Sequence, residues 1–135
     1  MFIYMNTKLG KILAEISAGE LIDKITILEI KKSKITKEDK LAEIEKELVS
    51  LNSTLKKSIP ENSKIIKYKN ELKDINEKLW DIEDGKREAE KKNDFGSNFI
   101  SLARNVYKLN DERAKIKLNI NVALGSNIKE VKSYE

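Results

Sequence analysis

The stretch SAGELIDKITILEIKKSK, residues 17 to 34, decides the fold, because its apolar side chains fall on two sides of one helix. Ser17 and Glu20 form the pattern S-x-x-E, in which the hydroxyl accepts from a first-turn amide and the carboxylate reaches back. A helix is therefore predicted from about Ala18 to Lys34. One apolar face carries Leu21, Ile25, Leu28 and Ile35, and the nearly opposite face carries Ile27 and Ile30. A helix that is apolar on two sides is buried on two sides, so this one is predicted to lie between other helices.

Three further helices are predicted downstream. Thr36 and Asp39 repeat the capping pattern, and Pro60 separates the second helix from the third. The second helix has apolar residues in strict 3,4 spacing at Leu41, Ile44, Leu48, Leu51 and Leu55. The third helix continues this spacing at Ile65, Tyr68, Leu72, Ile75, Leu79 and Ile82. Gly85 costs a helix up to about 1 kcal/mol relative to alanine, so the third helix is predicted either to end or bend near Gly85 or to continue to about Lys92.

The predicted fold is a single all-α domain, residues 1–135, in which about four antiparallel helices pack with coiled-coil-like seams. The fourth helix follows the turn at 93–98, ends at Gly125, and has apolar residues at Phe99, Leu102, Val106, Leu109, Ile116, Ile120 and Leu124. Residues 1–17 form a predicted extended segment, in which the alternation at 11–16 favours one strand across the bundle. Residues 126–135 are a polar tail. A homodimer is also predicted, on the hypothesis that four helices alone cannot cover both faces of the first helix and the seam of the second.

Composition excludes several classes of function. The absence of cysteine and histidine removes disulfides, thiolate chemistry, the usual zinc ligands and the ordinary neutral-pH base. The 27 basic residues alternate with 23 acidic ones, only three are arginine, and no aromatic platform is present, so nucleic-acid binding is not expected despite a net charge of +4. No apolar run approaches a membrane span and no leader peptide is recognisable, so we expect a cytoplasmic protein without membrane insertion.

LWDIEDGKRE, residues 79–88, sets the only tryptophan of the chain among acidic residues. At about 100° per residue, one stripe beside the apolar seam contains Asn76, Trp80, Glu83 and Arg87, whereas Asp81, Asp84 and Glu88 point away from it. The simpler interpretation is a tryptophan packed at the seam edge, with a Glu83 to Arg87 pair that contributes a few tenths of a kcal/mol. The alternative is a binding site.

Two further charges fall on inward positions. On the fourth helix, Arg113 occupies the apolar seam between Leu109 and Ile116. The edge of this seam carries Asn110, Lys117 and Asn121. Glu29 lies between the directions of Ile22 and Ile25, and a buried carboxylate must be paired, hydrogen-bonded or protonated. We hypothesise that Glu29, Glu83 and Arg113 meet in one polar layer. Such a layer is either an ion network that fixes helix register or the wall of a ligand pocket.

Two pairs of acids have the i,i+3 spacing that can hold a divalent cation, namely Glu20 with Asp23 and Asp81 with Asp84. Helical wheels turn both pairs outward, whereas metal sites in bundles use inward acids, so these residues are weak metal candidates. No cofactor is predicted, and Mg²⁺ enters only with a phosphorylated ligand. The chain has no Gly-rich phosphate loop and no nucleophile elbow.

Four strings resemble a family of short bacterial proteins classified only as a domain of unknown function. They are GELIDKITILEIK (19–31), LWDIED (79–84), FGSNFISLARNVYKLNDERAKIKLNIN (95–121) and GSNIKEVKSY (125–134). The resemblance implies motif positions at Glu20, Asp23, Lys24, Glu29, Trp80, Asp81, Glu83, Asp84, Arg104, Asn110, Asp111, Arg113, Lys117 and Asn121. The chain departs from the family pattern at Gly85 and Lys86. Some members occur with glycosyltransferase or surface-polysaccharide genes, which is a genomic association and implies no reaction.

The predicted function is a non-catalytic interaction or accessory module, linked to cell-envelope polysaccharide assembly, that contacts a protein partner through Trp80 and the acidic face of the third helix. The alternative is a binding site or enzyme for a phosphorylated or nucleotide-sugar ligand. Its candidate residues are Glu29, Trp80, Glu83, Arg87, Asn110, Arg113, Lys117 and Asn121, with Glu83 orienting the cations. The sequence leaves open whether any reaction is catalysed.

Overall fold

The computed structural model describes residues 8–133, and within that range it contains four helices and no strand. The helices are α1 (Ala18–Lys34), α2 (Glu38–Ser58), α3 (Ser63–Lys91) and α4 (Ser97–Leu124). The all-α prediction is confirmed. Of the two alternatives at Gly85, the structure shows the continuous helix, since α3 runs through this residue to Lys91.

The central helix of the molecule is α1. Close backbone packing joins α1 to each of the other three helices and α3 to α4. One core cluster joins α1 to α2 through Leu21, Ile25, Leu28, Ile44 and Leu48. The second cluster joins α1 to α3 and α4 through Ile22, Ile65, Leu72, Ile75, Ile116 and Ile120. On the second predicted apolar face of α1, Ile30 is buried, whereas Ile27 is only half-buried.

The seam of α2 is covered less completely than the faces of α1. Ile44 and Leu48 are buried, whereas Leu41, Leu51 and Leu55 are only half-buried. This helix lies on the α1 side of the molecule and has no close backbone packing with α3 or α4. The seam of α2 is therefore covered incompletely by the described residues, and the homodimer stays a prediction.

Contacts between α1 and α4 show that the two helices are antiparallel. Gly19 N donates to Asn121 Oδ1 at 2.7 Å, and Lys117 Nζ donates to Glu20 Oε2 at 2.5 Å, so the α4 number falls as the α1 number rises. Gly19 permits this close approach, because a Cβ atom at this position would lie 2.5 Å from the carbonyl oxygen of Lys117.

Side chains from three parts of the chain bind the amides that open α1. Ser17 Oγ accepts from Glu20 N at 3.0 Å, as predicted, but the Glu20 carboxylate binds Lys117 instead of reaching back. Ser126 Oγ accepts a hydrogen bond from Ala18 N at 3.1 Å, and Asn121 Oδ1 accepts one from Gly19 N. The first turn of α1 is therefore satisfied by the chain itself.

The predicted cap of α2 is wrong. Lys37 occupies the N-cap position and makes no side-chain cap hydrogen bond, and Thr36 lies one residue too early. Glu38 and Asp39 begin the helix instead, and their negative charges favour the positive end of the helix dipole. Gly125 ends α4 in the left-handed conformation, with φ 62°, as a C-terminal glycine is expected to do.

The strand predicted in the N-terminal segment is absent from the described residues. Residues 8–16 form neither helix nor strand, and Leu9, Ile12 and Leu13 are more than four-fifths exposed, so no strand lies across the bundle here. The tail folds back, since Ser17 Oγ donates to Glu130 Oε1 at 2.5 Å. Residues 1–7 of the predicted extended segment and 134–135 of the predicted tail lie outside the described residues. Within the described range, no helix is both long and apolar enough to cross a membrane.

Candidate functional site

Asp23 lies at the centre of a polar cluster between α1, α3 and α4, and its side chain is fully buried. The prediction that Asp23 points outward is wrong, because this side chain faces α3 and α4, whereas Glu20 is partly exposed at the edge of the cluster. The carboxylate accepts from Arg113 through Nε, at 3.0 Å, and through Nη2. It also accepts from Asn76 Nδ2 at 2.8 Å, and the same amide donates to Thr26 Oγ1 at 2.9 Å.

Lys117 and Glu20 extend this cluster toward solvent. Lys117 Nζ lies 2.5 Å from Glu20 and 3.8 Å from Asp23. Lys24 lies 3.7 Å from Glu20, in the i,i+4 compensation that the spacing predicted. The inner network is the name used below for the six side chains Glu20, Asp23, Thr26, Asn76, Arg113 and Lys117.

The inner network keeps Arg113 charged. Its hydrogen bonds with Asp23 raise the pKa of Arg113 above the ordinary value, the charges of Asp23 and Glu20 raise it further, and burial opposes them. Since the ordinary pKa of arginine is already far above neutral, Arg113 stays a cation at every pH at which the protein folds. A buried carboxylate that binds a guanidinium through two nitrogens and an amide has its charge compensated.

Glu29 and Glu83 do not join Arg113, so the hypothesis of a single layer formed by these three residues is wrong. Glu29 lies 3.7 Å from Lys69 and 4.0 Å from Lys73, and its Oε1 atom is buried without a hydrogen-bond partner among the described residues. Glu83 lies 3.7 Å from Lys86 rather than pairing with Arg87. A helical wheel gives directions within one helix, and the carboxylate that meets Arg113 is Asp23.

A cavity of about 250 Å³ opens between α1, α3 and α4 beside the only tryptophan. We call it the Trp80 cleft, and its lining is Ile27, Ile30, Asn76, Leu79, Trp80, Glu83, Asp84, Arg87 and Arg113. The four residues of the predicted α3 stripe all belong to this lining. Ile30 and Asn76 are buried at its inner end, whereas Asp84 and Arg87 are exposed at its rim. Asn76 and Arg113 connect the cleft to the inner network.

Some charged side chains of the Trp80 cleft have ion-pair partners among the described residues, and others have none. Arg113 is held by Asp23, and Glu83 lies near Lys86. Asp84 and Arg87 make no hydrogen bond or ion pair with other residues between 8 and 133. The cavity is smaller than the range of roughly 300–1,000 Å³ that is typical of pockets for whole small molecules. Its size suits a single side chain or one group of a larger ligand.

The other candidate ligand residues lie elsewhere. Lys117 and Asn121 line a separate groove of about 620 Å³ between α4 and the tail. Asn121 is 2% exposed and accepts a hydrogen bond from the amide of Gly19. Asn110 accepts a hydrogen bond from Arg113 Nη1 at 3.4 Å. Seven of the eight predicted ligand residues are thus divided among the cleft, the groove and the lysine pair at Glu29, and Asn110 contacts Arg113.

No group of three or more acidic, histidine or cysteine side chains in residues 8–133 is arranged to hold a metal ion. Of the weak metal candidates, Glu20 and Asp23 bind Lys117 and Arg113. Asp81 and Asp84 are exposed on α3. The four carboxylates therefore share no common site.

The sequence interpretation missed Asp23 and Thr26 as members of the inner network. A signal for them existed, because a helix that is apolar on two opposite faces leaves little room for an outward polar face. Polar residues in the middle of such a helix then lie between its neighbours. The partners of Asp23 on α3 and α4 carry no corresponding signal in the sequence.

Comparison with known proteins gives the family but no activity. Residues 12–135 match the model of a family described as a family of unknown function, DUF6165. No curated protein and no solved structure matches the chain. Since the family model covers nearly its whole length, the chain belongs to this family of unknown function.

Proposed function

We propose that the protein is a non-catalytic binding module that recognises a partner protein through the Trp80 cleft. The observation that carries this proposal is the position of the single tryptophan at a surface cavity. The polar groups of its inner wall already have hydrogen-bond partners within the protein. Among the described residues, no side-chain atom of the inner network is buried without a hydrogen-bond partner. A compensated network of this kind fixes the register of helices, and recognition falls to the exposed rim.

The chemistry of the rim favours a partner segment with basic residues. Asp81, Asp84 and Glu88 are exposed on α3 beside the cleft. A tryptophan in a small pocket is a common anchor of protein interfaces, and it also attracts a cationic side chain over its ring. The surrounding acids guide a basic partner to this point.

The test begins with the capture of the partner. A photo-cross-linking amino acid at Asp84 identifies the bound protein in cells, and the purified pair is then titrated by Trp80 fluorescence. The variant Asp81→Lys/Asp84→Lys is expected to weaken binding at least about tenfold, or 1.4 kcal/mol. The control Glu43→Lys/Glu47→Lys reverses two exposed acids on α2 and should bind like the wild type. Equal affinity of the α3 variant would remove the proposal.

A small anionic ligand is the second candidate, favoured by two guanidinium groups at one cavity. Arg87 and Arg113 both line the Trp80 cleft, and a pair of arginines suits phosphate or carboxylate. The cavity admits the phosphate or sugar part of a nucleotide sugar rather than the whole molecule. Titration of Trp80 fluorescence with nucleotide sugars, nucleoside triphosphates and inorganic phosphate, with and without Mg²⁺, tests this candidate. Saturable binding that Arg87→Met abolishes would support it, and an unresponsive signal across the panel would discard it.

The pathway is proposed from the family resemblance rather than from geometry. We propose that the module serves cell-envelope polysaccharide assembly from the cytoplasmic side. Deletion of the gene should then reduce surface glycan, and Trp80→Ala should reproduce the loss at normal protein level. Unchanged surface glycan in the deletion strain would contradict this assignment, and fractionation of cells checks the location.

We also propose that the protein acts as a homodimer. Support comes from large apolar side chains that the fold leaves exposed, with Val49 at 62%, Tyr107 at 57% and Val122 at 65%. Aligned apolar residues on a surface usually mark a contact with another macromolecule. Sedimentation velocity of the wild type measures the oligomeric state, and a monomer at all working concentrations would contradict the proposal.

A further inference from the structure

We infer that two copies of the chain pair through the outer face of α4, antiparallel, with Arg104 of each copy opposite Asp111 of the other. This inference names the interface of the homodimer and rests on that part of the proposed function. The second copy, rather than a different protein, is the occupant because the face is complementary to itself.

The outer face of α4 carries one apolar stripe. At about 100° per residue, one side of the helix holds Ile100, Arg104, Tyr107, Asp111, Leu118 and Val122. Its four apolar members are between 45% and 65% exposed. The inner side of the same helix holds the core residues Ile116 and Ile120. The stripe is therefore an unpartnered second apolar face on a long helix.

Among residues 8–133, no other segment covers the stripe. Tail residues 129–132 border it at Asp111 and Leu118, where they form the wall of a groove. They do not cover it, because Leu118 remains 45% exposed and Asp111 is also exposed. Ile100 and Tyr107 do not line that groove. The described part of the chain thus leaves the apolar residues of the stripe exposed.

The charges on the stripe select an antiparallel copy. Arg104 and Asp111 are seven residues apart, which is about two helical turns, and neither forms an ion pair within residues 8–133. A two-fold axis near Tyr107 exchanges the two positions, so each arginine faces an aspartate and two identical ion pairs form. The same axis places the two Tyr107 rings at the centre, Ile100 opposite Ala114 and Lys115 of the other copy, and Leu118 opposite Ser97. A parallel pairing would instead set like charges opposite each other.

The test uses charge reversals that break the pairing singly and restore it together. Arg104→Asp leaves only acids at the two positions, and Asp111→Arg leaves only arginines, so each variant alone should dimerise at least about tenfold more weakly. Mixing the two variants should restore a dimer that contains one chain of each, and the double variant Arg104→Asp/Asp111→Arg should dimerise like the wild type. Glu112→Arg is the matched control, because the adjacent side chain points about 100° away.

Sedimentation velocity measures the oligomeric state of each of these proteins, and circular dichroism checks that the single variants keep their helices. A monomeric wild type would overturn both the homodimer and this interface. A dimeric wild type whose single variants dimerise equally well would overturn the interface alone. If the single variants dimerise more weakly but form no mixed dimer when they are combined, the antiparallel pairing would also be overturned.

Discussion

Gly19 sets how closely α1 approaches α4. A Cβ atom there would lie 2.5 Å from Lys117 O and 3.0 Å from Asn121 Oδ1, so backbone has to move to make room. Gly19→Ala is therefore expected to destabilise the fold by about 1–3 kcal/mol, the usual cost of overpacking. Urea unfolding followed by circular dichroism measures the loss.

Gly85 is the matched control, because it is also helical and lies against another helix. A Cβ atom there would meet Leu102 Cδ1 at 3.3 Å, and the end of a leucine side chain can move. Since alanine favours a helix over glycine by about 1 kcal/mol, Gly85→Ala should be neutral or stabilising by up to that amount. Equal effects of the two substitutions would show that the close approach at Gly19 is unimportant.

At the scale of single residues, the sequence predicted the Trp80 cleft better than the inner network. The α3 stripe of Asn76, Trp80, Glu83 and Arg87 follows from helical periodicity alone, and all four residues line the cleft. The partner of Arg113 could not be predicted, because pairing between helices depends on their rotation and relative height. The helical wheel of α1 also turns Asp23 outward, whereas the structure buries it against α3 and α4.

The N-termini of the helices give a test at the scale of elements. Ser17 accepts from the amide of Glu20, whereas Thr36 is exposed and caps nothing. Ser17→Ala should cost about 0.5–2 kcal/mol of the free energy of unfolding, the usual contribution of an N-cap, and Thr36→Ala should change it little. A loss at Thr36 as large as that at Ser17 would mean that α2 is capped as the sequence pattern predicted.

Periodicity predicted which elements form but not how they meet. The 3,4 spacing indicated each helix, yet it left the end of α3 open at Gly85. Packing decides that point, because Leu102 of α4 lies against Gly85, and Ala89 beyond it is buried. The helix α2 begins at Glu38, later than the capping pattern at Thr36 predicts, because the acidic residues Glu38 and Asp39 stabilise a helix that begins there.

The hairpin formed by the end of α3 and the start of α4, residues 84–106, extends past most of the core. Only Ala89 within it is buried, while the core residues of α3 and α4 lie in the other half of these helices. Amide hydrogens in this hairpin should therefore exchange faster than those around Leu72 and Ile120, as expected where few apolar side chains are buried. Hydrogen exchange with mass spectrometry tests this, and uniform protection along α3 and α4 would contradict it.

At the scale of the whole molecule, the fold separates two tasks. The inner network joins α1 to α3 and α4, and the Trp80 cleft and the α4 stripe face outward. The central place of α1 could be predicted from its two apolar faces. The α4 stripe from which the proposed homodimer is argued could not be predicted, because spacing within one helix does not show which of its faces stays uncovered.

The central claim is that Asp23 and Arg113 serve the fold, which leaves recognition to the rim of the Trp80 cleft. The most direct test is urea unfolding of wild type, Asp23→Asn, Arg113→Met and the double variant. Arg113→Met alone should lose about 3–5 kcal/mol, because it leaves a buried carboxylate without its cation, and adding Asp23→Asn should recover much of that loss. An Arg113→Met protein as stable as the wild type would contradict the claim and make this guanidinium available to a ligand.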